Sequence, residues 1–356
     1  MYKTSDYIGV VDLEKISNLC FKVEDTEAHK SYDIDGADCA LLVVFGHTID
    51  GIDFSSNSKK SIMSKELLKA TMFGGISEGT LSVINNMYAL DLSMQEQVKV
   101  FKVPEGIQIL QNLGFSRGCD GIEEVILPNT IRFINADTFA SFENLKKINL
   151  PDSLESIFAG AFSFCYSLEE VVLPKNISII ASHLFDCCYN LKHVQMSDNI
   201  TRIEEKAFYM CHNIEKVKLS NKLLRLGENC FSGCSALTSM ELPDSIYHIS
   251  SNAFDVCTGL NHIKMPAKLK TMGLNVFRCC ENLVEIDLPH SLEYLDDVFY
   301  GCEKLKRVTL CMDNLEYIYR DVFNNCDKYI VIGVFDSGEY EEYSLNEFKK
   351  KYKYRM

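Results

Sequence analysis

The chain has 356 residues, a formal net charge of −14 and no Trp. Its hydrophobic content of 47% is that of a folded protein, which excludes a disordered chain. The acidic balance also argues against non-specific nucleic-acid binding, because that activity requires a basic surface.

The N-terminal segment shows no targeting or membrane signal. Residues Met1 to Lys15 contain no apolar h-region and carry Asp6 and Asp12, which is not typical of a signal peptide. The longest apolar run, Cys39 to Phe45, is far shorter than the ~20 residues that a membrane helix needs. We therefore expect a cytoplasmic protein, with a cell-surface or secreted location as the alternative if a signal has been removed.

Residues 1–97 lack the repeat that marks the rest of the chain. Cys39 to Gly46 is predicted to form a buried strand, and Ser61 to Phe73 and Leu81 to Leu92 are predicted to form helices. Two interpretations stay open. The segment is either an N-terminal cap, since a repeat array needs an atypical end unit, or a small α/β binding or signalling module.

The sequence repeats from Val98 onward. Val98 to Val103 is predicted to be the first repeat strand, because Pro104 follows it and cannot donate to a sheet. Eight apolar anchor positions then lie 23 residues apart: Leu127, Leu150, Leu173, Met196, Leu219, Leu242, Met265 and Leu288. A fixed period of this length predicts a solenoid.

Each position within the unit has a predicted role. The segment L-x-x-V-x-L alternates and is rich in β-branched residues, so it predicts a short parallel strand. The A-F-x-x-C stretch is too short for an ordinary helix and predicts a turn or a single 3₁₀ turn. Stacked Phe side chains are expected to be the largest source of packing energy, at about 1.5–3 kcal/mol each. They recur twelve residues past seven of the anchors: Phe139, Phe162, Phe185, Phe208, Phe231, Phe254 and Phe277.

The unit from Leu150 to Leu173 resembles the BspA-like class of bacterial leucine-rich repeats. Its sequence is L-P-D-S-L-E-S-I-F-A-G-A-F-S-F-C-Y-S-L-E-E-V-V-L, and Phe162, Cys165 and Val171 fall directly on the pattern of that class. The resemblance covers residues 98–331. It implies a curved right-handed solenoid of about ten such repeats, with a parallel sheet on the concave face. It also implies a recognition role, often adhesive and at the cell surface.

Residues 332–356 are predicted to close the array as a C-terminal cap. A strand is expected from Tyr329, followed by a turn at Asp336 to Gly338. Ser344 to Glu347 is a capping box that predicts the start of a helix. The inner face of that helix is expected to contain Leu345, Phe348 and Tyr352.

Cysteines recur three residues after the repeat Phe, at Cys165, Cys188, Cys211, Cys234, Cys257, Cys280, Cys302 and Cys326. Their spacing is the repeat period rather than a C-x-x-C metal pattern, so they are predicted to be small buried apolar residues. The sequence contains no phosphate-loop, dinucleotide-binding, zinc-protease or nucleophile-elbow motif. We therefore predict no catalytic residue, no cofactor, no metal site and no enzyme activity.

Outward-facing strand residues form columns across the units. In the column that begins Glu124, Lys147, Glu170, and in its neighbours, the charges largely alternate in sign. Opposite charges on adjacent strands contribute about 0.2–1 kcal/mol per pair. We therefore expect much of this charge to stabilise the array itself.

A face of mixed charge favours a protein partner over nucleic acid. The predicted partner-binding residues lie mid-array: Lys216, Lys218, Glu241, His262, Lys264, Glu285 and Asp287. The preferred hypothesis is a non-enzymatic protein–protein interaction module that binds its partner through the concave face. The alternatives are an adhesin-like surface protein that binds host or matrix ligands, and a sensor whose N-terminal module is regulated by the repeats.

Overall fold

The computed structural model describes residues 10–12, 41–43, 99–103, 109–112, 122–319 and 322–353. The chain divides into an N-terminal unit, residues 1–168, and a C-terminal unit, residues 169–356. In each unit the chain winds as a parallel β-solenoid, so the predicted solenoid is confirmed. The helices predicted over 61–73 and 81–92 lie outside the described residues, and the predicted curvature and handedness stay predictions.

The N-terminal unit contains two four-stranded parallel sheets, in the orders β1-β3-β5-β7 and β2-β4-β6-β8. β3 lies within the predicted first repeat strand, and β2 lies within the predicted strand Cys39 to Gly46. The strands are β1 (Val10–Asp12), β2 (Leu41–Val43), β3 (Val100–Lys102), β4 (Ile109–Asn112), β5 (Glu124–Ile126), β6 (Phe133–Ile134), β7 (Lys147–Ile148) and β8 (Ser156–Ile157).

The C-terminal unit has a longer strand and a two-residue strand in most turns. The longer strands form the long-strand face and are β9 (Glu170–Val172), β11 (His193–Gln195), β14 (Ser239–Glu241), β16 (His262–Lys264), β18 (Glu285–Asp287), β20 (Arg307–Cys311) and β22 (Val331–Asp336). The two-residue strands form the short-strand face and are β10 (Ile179–Ile180), β12 (Arg202–Ile203), β13 (Arg225–Leu226), β15 (His248–Ile249), β17 (Thr271–Met272), β19 (Tyr294–Leu295) and β21 (Tyr317–Ile318).

The repeat Phe side chains form the centre of the core. In the N-terminal unit Phe139 stacks on Phe162 with ring centroids 5.5 Å apart. In the C-terminal unit the stack runs from Phe185 to Phe323, with successive centroids 5.1 to 5.9 Å apart. These spacings lie in the favourable range for aromatic pairs. The predicted buried Phe series is therefore confirmed.

From Phe139 to Phe277, the turn around each repeat Phe contains two residues with positive φ. Asn is well suited to this left-handed conformation, and Asn229, Asn252 and Asn275 occupy the first of the two positions in successive turns. Hydrogen bonds to the next turn hold the backbone in place: the N–H of Phe185 donates to the carbonyl of Ala207 at 2.9 Å, and that of Cys187 to the carbonyl of Tyr209 at 2.8 Å. The predicted turn is thus hydrogen-bonded to the equivalent turn of the next repeat.

The repeat cysteines are buried, as predicted, except that Cys326 is half-buried. Their thiols also donate to the carbonyl of the Phe one turn earlier, as in Cys165 to Phe139 at 3.2 Å and Cys234 to Phe208 at 3.3 Å. Burial raises the pKa of the Cys165 and Cys234 thiols, which keeps them in the protonated form that donates. Cysteine therefore adds a second donor to a buried Phe carbonyl, which also accepts a backbone N–H, while it fills apolar space.

The C-terminal unit ends in a hairpin and the helix α1 (Leu345–Lys351). Ser344 and Glu347 form the predicted capping box, and Phe348 packs edge-on against Phe323 with centroids 6.4 Å apart. No element was predicted between the turn and the helix, where β23 (Glu339–Ser344) pairs antiparallel with β22. No helix in the described part of the chain is both long and apolar enough to cross a membrane.

Candidate partner-binding surface

The strand pattern decides which residues of the long-strand face point outward. On β14, β16 and β18 the middle residue is buried, at Met240, Ile263 and Ile286. Its two neighbours therefore project to the opposite side, because successive side chains on a strand alternate. This alternation brings the predicted partner-binding residues to the surface.

All seven predicted partner-binding residues are exposed. Glu241 on β14 lies in register with Lys264 on β16, and Ser239 with His262. Glu285 and Asp287 flank the buried residue of β18. Lys216 and Lys218 flank the buried Val217 in the same way, but no strand is formed over 215–219. That segment separates the β9–β11 pair from the β14–β16 pair.

These seven side chains form no hydrogen bond or ion pair with any described residue. We call these seven residues the central charged patch: Lys216, Lys218, Glu241, His262, Lys264, Glu285 and Asp287. The expected pairing of alternating charges is therefore not found in the central charged patch. Exposed ion pairs gain little over hydration, so water competes successfully for side chains as long as these.

The face of the N-terminal unit formed by β1, β3, β5 and β7, which we call the long-strand face of that unit, does show the expected pairing. Glu123 accepts from Lys99 at 2.5 Å and from Lys146 at 2.7 Å, and Lys147 lies 3.5 Å from Glu124. Hydrogen bonds from Lys146 and then Lys99 lower the pKa of Glu123 to about 2. These five charged side chains thus form ion pairs with one another.

The central charged patch is bounded by paired side chains toward the C-terminal hairpin. Arg307 follows Glu285 in the same outward column, and its guanidinium donates to the hydroxyl of Tyr340 at 3.0 Å and to Glu342. A guanidinium that already donates to two groups has fewer free donors for a partner than a hydrated lysine ammonium has. On this side, the available charges of the patch therefore end at β18.

The turns bring together a cysteine, a histidine and a carboxylate that could suggest nucleophilic chemistry. His183 Nδ1 lies 2.8 Å from Asp186 Oδ2, and Cys187 follows directly. Burial, followed by the hydrogen bond with Asp186, raises the pKa of the Cys187 thiol to about 11, whereas a nucleophilic cysteine needs a lowered pKa. The described residues also contain no group of three His, Cys, Asp or Glu placed to hold a metal ion.

A cavity of about 250 Å³ lies beside the C-terminal hairpin. The Lys351 ammonium lies in its lining, 2.8 Å from Glu341 and 4.7 Å from the centre of the Tyr343 ring. The hydrogen bond with Glu341 raises the pKa of Lys351, which remains charged. Lys351 and Glu341 of the lining already stabilise one another.

Sequence reasoning missed the short-strand face. Its C-terminal end exposes three tyrosines, Tyr294, Tyr317 and Tyr319, at relative exposures of 40%, 43% and 39%. The available signal was the similarity of E-Y-L-D at Glu293 to Asp296 and E-Y-I-Y at Glu316 to Tyr319, one repeat later. It was not used because two-residue strands are too short to show an alternating pattern.

Comparisons with solved structures find leucine-rich repeat proteins. A cell surface protein of Faecalibacterium prausnitzii is 23% identical with a TM-score of 0.39, over 68% of this chain and 80% of its own. The pneumococcal vaccine antigen PcpA is 22% identical with a TM-score of 0.47, over 67% and 72%. A leucine-rich repeat protein of T. pallidum is 25% identical with a TM-score of 0.37, over 52% and 77%.

A search of curated proteins gave no significant match. The model of the BspA type leucine-rich repeat region, by contrast, matches residues 93–215 and 201–330, with six copies of the repeat. The matched segments span well over half of the sequence and contain the Phe and Cys positions of the core. The chain belongs to the BspA type leucine-rich repeat family.

Proposed function

We propose that this protein is a non-enzymatic interaction module that binds a protein partner through the central charged patch. The observation that carries the proposal is the availability of these seven side chains, which are exposed and form no ion pair or hydrogen bond with the described residues. Equivalent charges in the N-terminal unit are paired with each other. The central charged patch therefore offers a partner charges that need not first be separated from one another.

The order of charges within the patch favours a protein partner. Lys216 and Lys218 are both cationic, Glu241 is anionic, Lys264 is cationic, and the last strand carries Glu285 and Asp287. Bands of opposite sign on successive strands give orientation and register to a partner with complementary side chains, and they repel a uniformly charged polymer. The backbone of β14, β16 and β18 holds three of these bands in fixed positions, which reduces the entropy lost on binding.

The proposal is tested by affinity capture from native host lysate under reducing conditions. Wild type is compared with Lys216→Glu/Lys218→Glu, and with Lys349→Glu/Lys350→Glu on α1, which changes the net charge by the same amount away from the patch. We expect a protein that is captured by wild type and by the helix variant but lost with the patch variant. Equal recovery by all three chains, with matching circular dichroism spectra, would remove the patch as the binding site.

We propose a cytoplasmic location for this interaction. In the part of the chain that the structure describes, the cysteines are free thiols, which is typical of a reducing compartment. Added protease on intact host cells should therefore leave the chain undigested while it cleaves a known surface protein. Digestion on intact cells would instead favour the adhesin-like alternative.

A further inference from the structure

The C-terminal end of the short-strand face carries an aromatic cluster that the central charged patch does not use. β19 and β21 pair in parallel with Tyr294 opposite Tyr317, and the N–H of Tyr319 donates to the carbonyl of Leu295 at 2.7 Å. Leu295 and Ile318 are fully buried, so the tyrosines beside them project from the outer side. Neighbouring parallel strands lie about 4.8 Å apart, so Tyr294 and Tyr317 start from adjacent positions on one face.

Carboxylates surround the tyrosine rings. The hydroxyl of Tyr294 donates to Glu316 at 2.9 Å, and Lys270 lies 3.4 Å from Glu293. Asp296 follows the strand that carries Tyr294 and is half-buried. Among the described residues of the cluster, the three carboxylates of Glu293, Asp296 and Glu316 outnumber the one ammonium, that of Lys270, which pairs with Glu293.

Two of the rings have no polar partner within the described chain. The hydroxyls of Tyr317 and Tyr319 form no hydrogen bond with any described residue, and neither ring stacks on another described aromatic side chain. A further exposed tyrosine of the same face, Tyr247, follows Leu224 in its column and lies near Lys270 rather than carboxylates. Of these tyrosines, Tyr294, Tyr317 and Tyr319 therefore lie near carboxylates, whereas Tyr247 lies near Lys270.

We infer that Tyr294, Tyr317 and Tyr319, with Glu293, Asp296 and Glu316, form a docking surface for an arginine- and lysine-rich segment of a protein partner. Aromatic faces attract guanidinium and ammonium groups, and arginine also stacks flat on them. The carboxylates provide complementary charge and bidentate acceptors for arginine. This site is separate from the central charged patch, which carries both signs of charge, and does not depend on the function proposed there.

The inference is tested with the full chain and a fluorescent oligo-arginine peptide, followed by anisotropy at moderate salt. Tyr317→Thr/Tyr319→Thr keeps β-forming residues on the strand and should weaken binding about tenfold, because two cation–π contacts are lost. The matched control Tyr247→Thr removes an exposed tyrosine of the same face without carboxylates. It should leave the affinity unchanged.

Two double variants that remove the same charge distinguish docking at this site from non-specific attraction of the peptide to an acidic protein. Glu293→Gln/Glu316→Gln should weaken oligo-arginine binding about threefold, since exposed charge pairs contribute little each. Glu285→Gln/Asp287→Asn in the central charged patch removes the same charge and should have no such effect. Equal weakening by both pairs, or by the Tyr247 control, would overturn the inference and show attraction to the overall charge of −14.

A carbohydrate is the other ligand that stacks on exposed tyrosines. A neutral oligosaccharide that bound at the tyrosines, with loss in Tyr317→Thr/Tyr319→Thr and no effect of Glu293→Gln/Glu316→Gln, would also overturn the inference. Oligo-arginine binding that needs both the tyrosines and the carboxylates is the supporting result. Circular dichroism of each variant verifies that the exposed substitutions leave the fold intact.

Discussion

The long-strand faces of the two units differ although the units share one repeat. In the N-terminal unit Glu123 lies between Lys99 and Lys146, and Lys147 lies near Glu124. In the C-terminal unit the central charged patch has charges of both signs on successive turns. None of its side chains forms an ion pair with a described residue. The interiors do not differ in this way, since both contain stacked Phe rings and thiols that donate to a Phe carbonyl.

The difference shows which residues the repeat constrains. Inward positions each remove apolar area from water and contact the equivalent residue of the next turn, so their identity is nearly fixed. Outward charges contribute about 0–1 kcal/mol per pair, so they can vary with little effect on stability. Paired charges are therefore explained by the array itself, whereas unpaired charges on a rigid face stay available to a partner.

The largest expected effect is on the free energy of unfolding, which should differ between a core variant and a variant of the exposed face. Phe231→Ala should lower the free energy of unfolding by about 3–5 kcal/mol, because the fully buried ring leaves a cavity between its stacked neighbours. Lys216→Glu/Lys218→Glu should change it by less than about 1 kcal/mol, because both lysines are exposed. Urea denaturation followed by circular dichroism measures both. A lysine variant as unstable as the Phe variant would contradict the assignment of the patch to binding.

A smaller effect tests whether the two interiors are equivalent. Cys165→Ala in the N-terminal unit and Cys234→Ala in the C-terminal unit should each cost about 1–2 kcal/mol, since each removes a buried hydrogen bond to a Phe carbonyl and the packing of the sulfur. The same urea series measures the loss. Clearly unequal costs would mean that the units differ inside as well as on the face.

Much of the architecture could be predicted from the sequence. The 23-residue period indicated the solenoid, the strand L-x-x-V-x-L, the buried Phe and the buried Cys, because inward residues must match from turn to turn. The capping box at Ser344 and Glu347 indicated helix α1. The outward position of the seven patch residues also followed, since alternation along a strand determines which side each residue occupies.

Other features had weaker signals. The two-residue strands are too short for a periodic pattern, and β23 consists of exposed Glu and Tyr without a buried alternation. Its hairpin signal was Ser337-Gly338, both with positive φ, as a tight hairpin turn requires. The left-handed turn positions were marked by Asn and Asp, which tolerate positive φ. Whether neighbouring charges pair could not be predicted, because the energies involved are close to those of hydration.

The smallest expected effect concerns the paired face and appears as pH dependence. The pKa of Glu123 is about 2 in the folded chain because of hydrogen bonds from Lys146 and Lys99, against an ordinary value of 4.5. The folded state therefore binds a proton less readily than the unfolded state at this site. Its contribution to stability is fully present above pH 4.5 and is lost as the pH falls toward about 2.

Glu123→Gln removes this contribution, so its Tm should lie slightly below that of wild type at neutral pH, and the difference should disappear near pH 2. Added salt should also reduce the difference, because exposed charges are screened. Glu241→Gln is the matched control. Its carboxylate forms no ion pair with the described residues, so its Tm should equal that of wild type at each pH. A pH-dependent loss in Glu241→Gln as large as that in Glu123→Gln would mean that the central charged patch is paired in solution, and it would remove the contrast on which the proposed binding role depends.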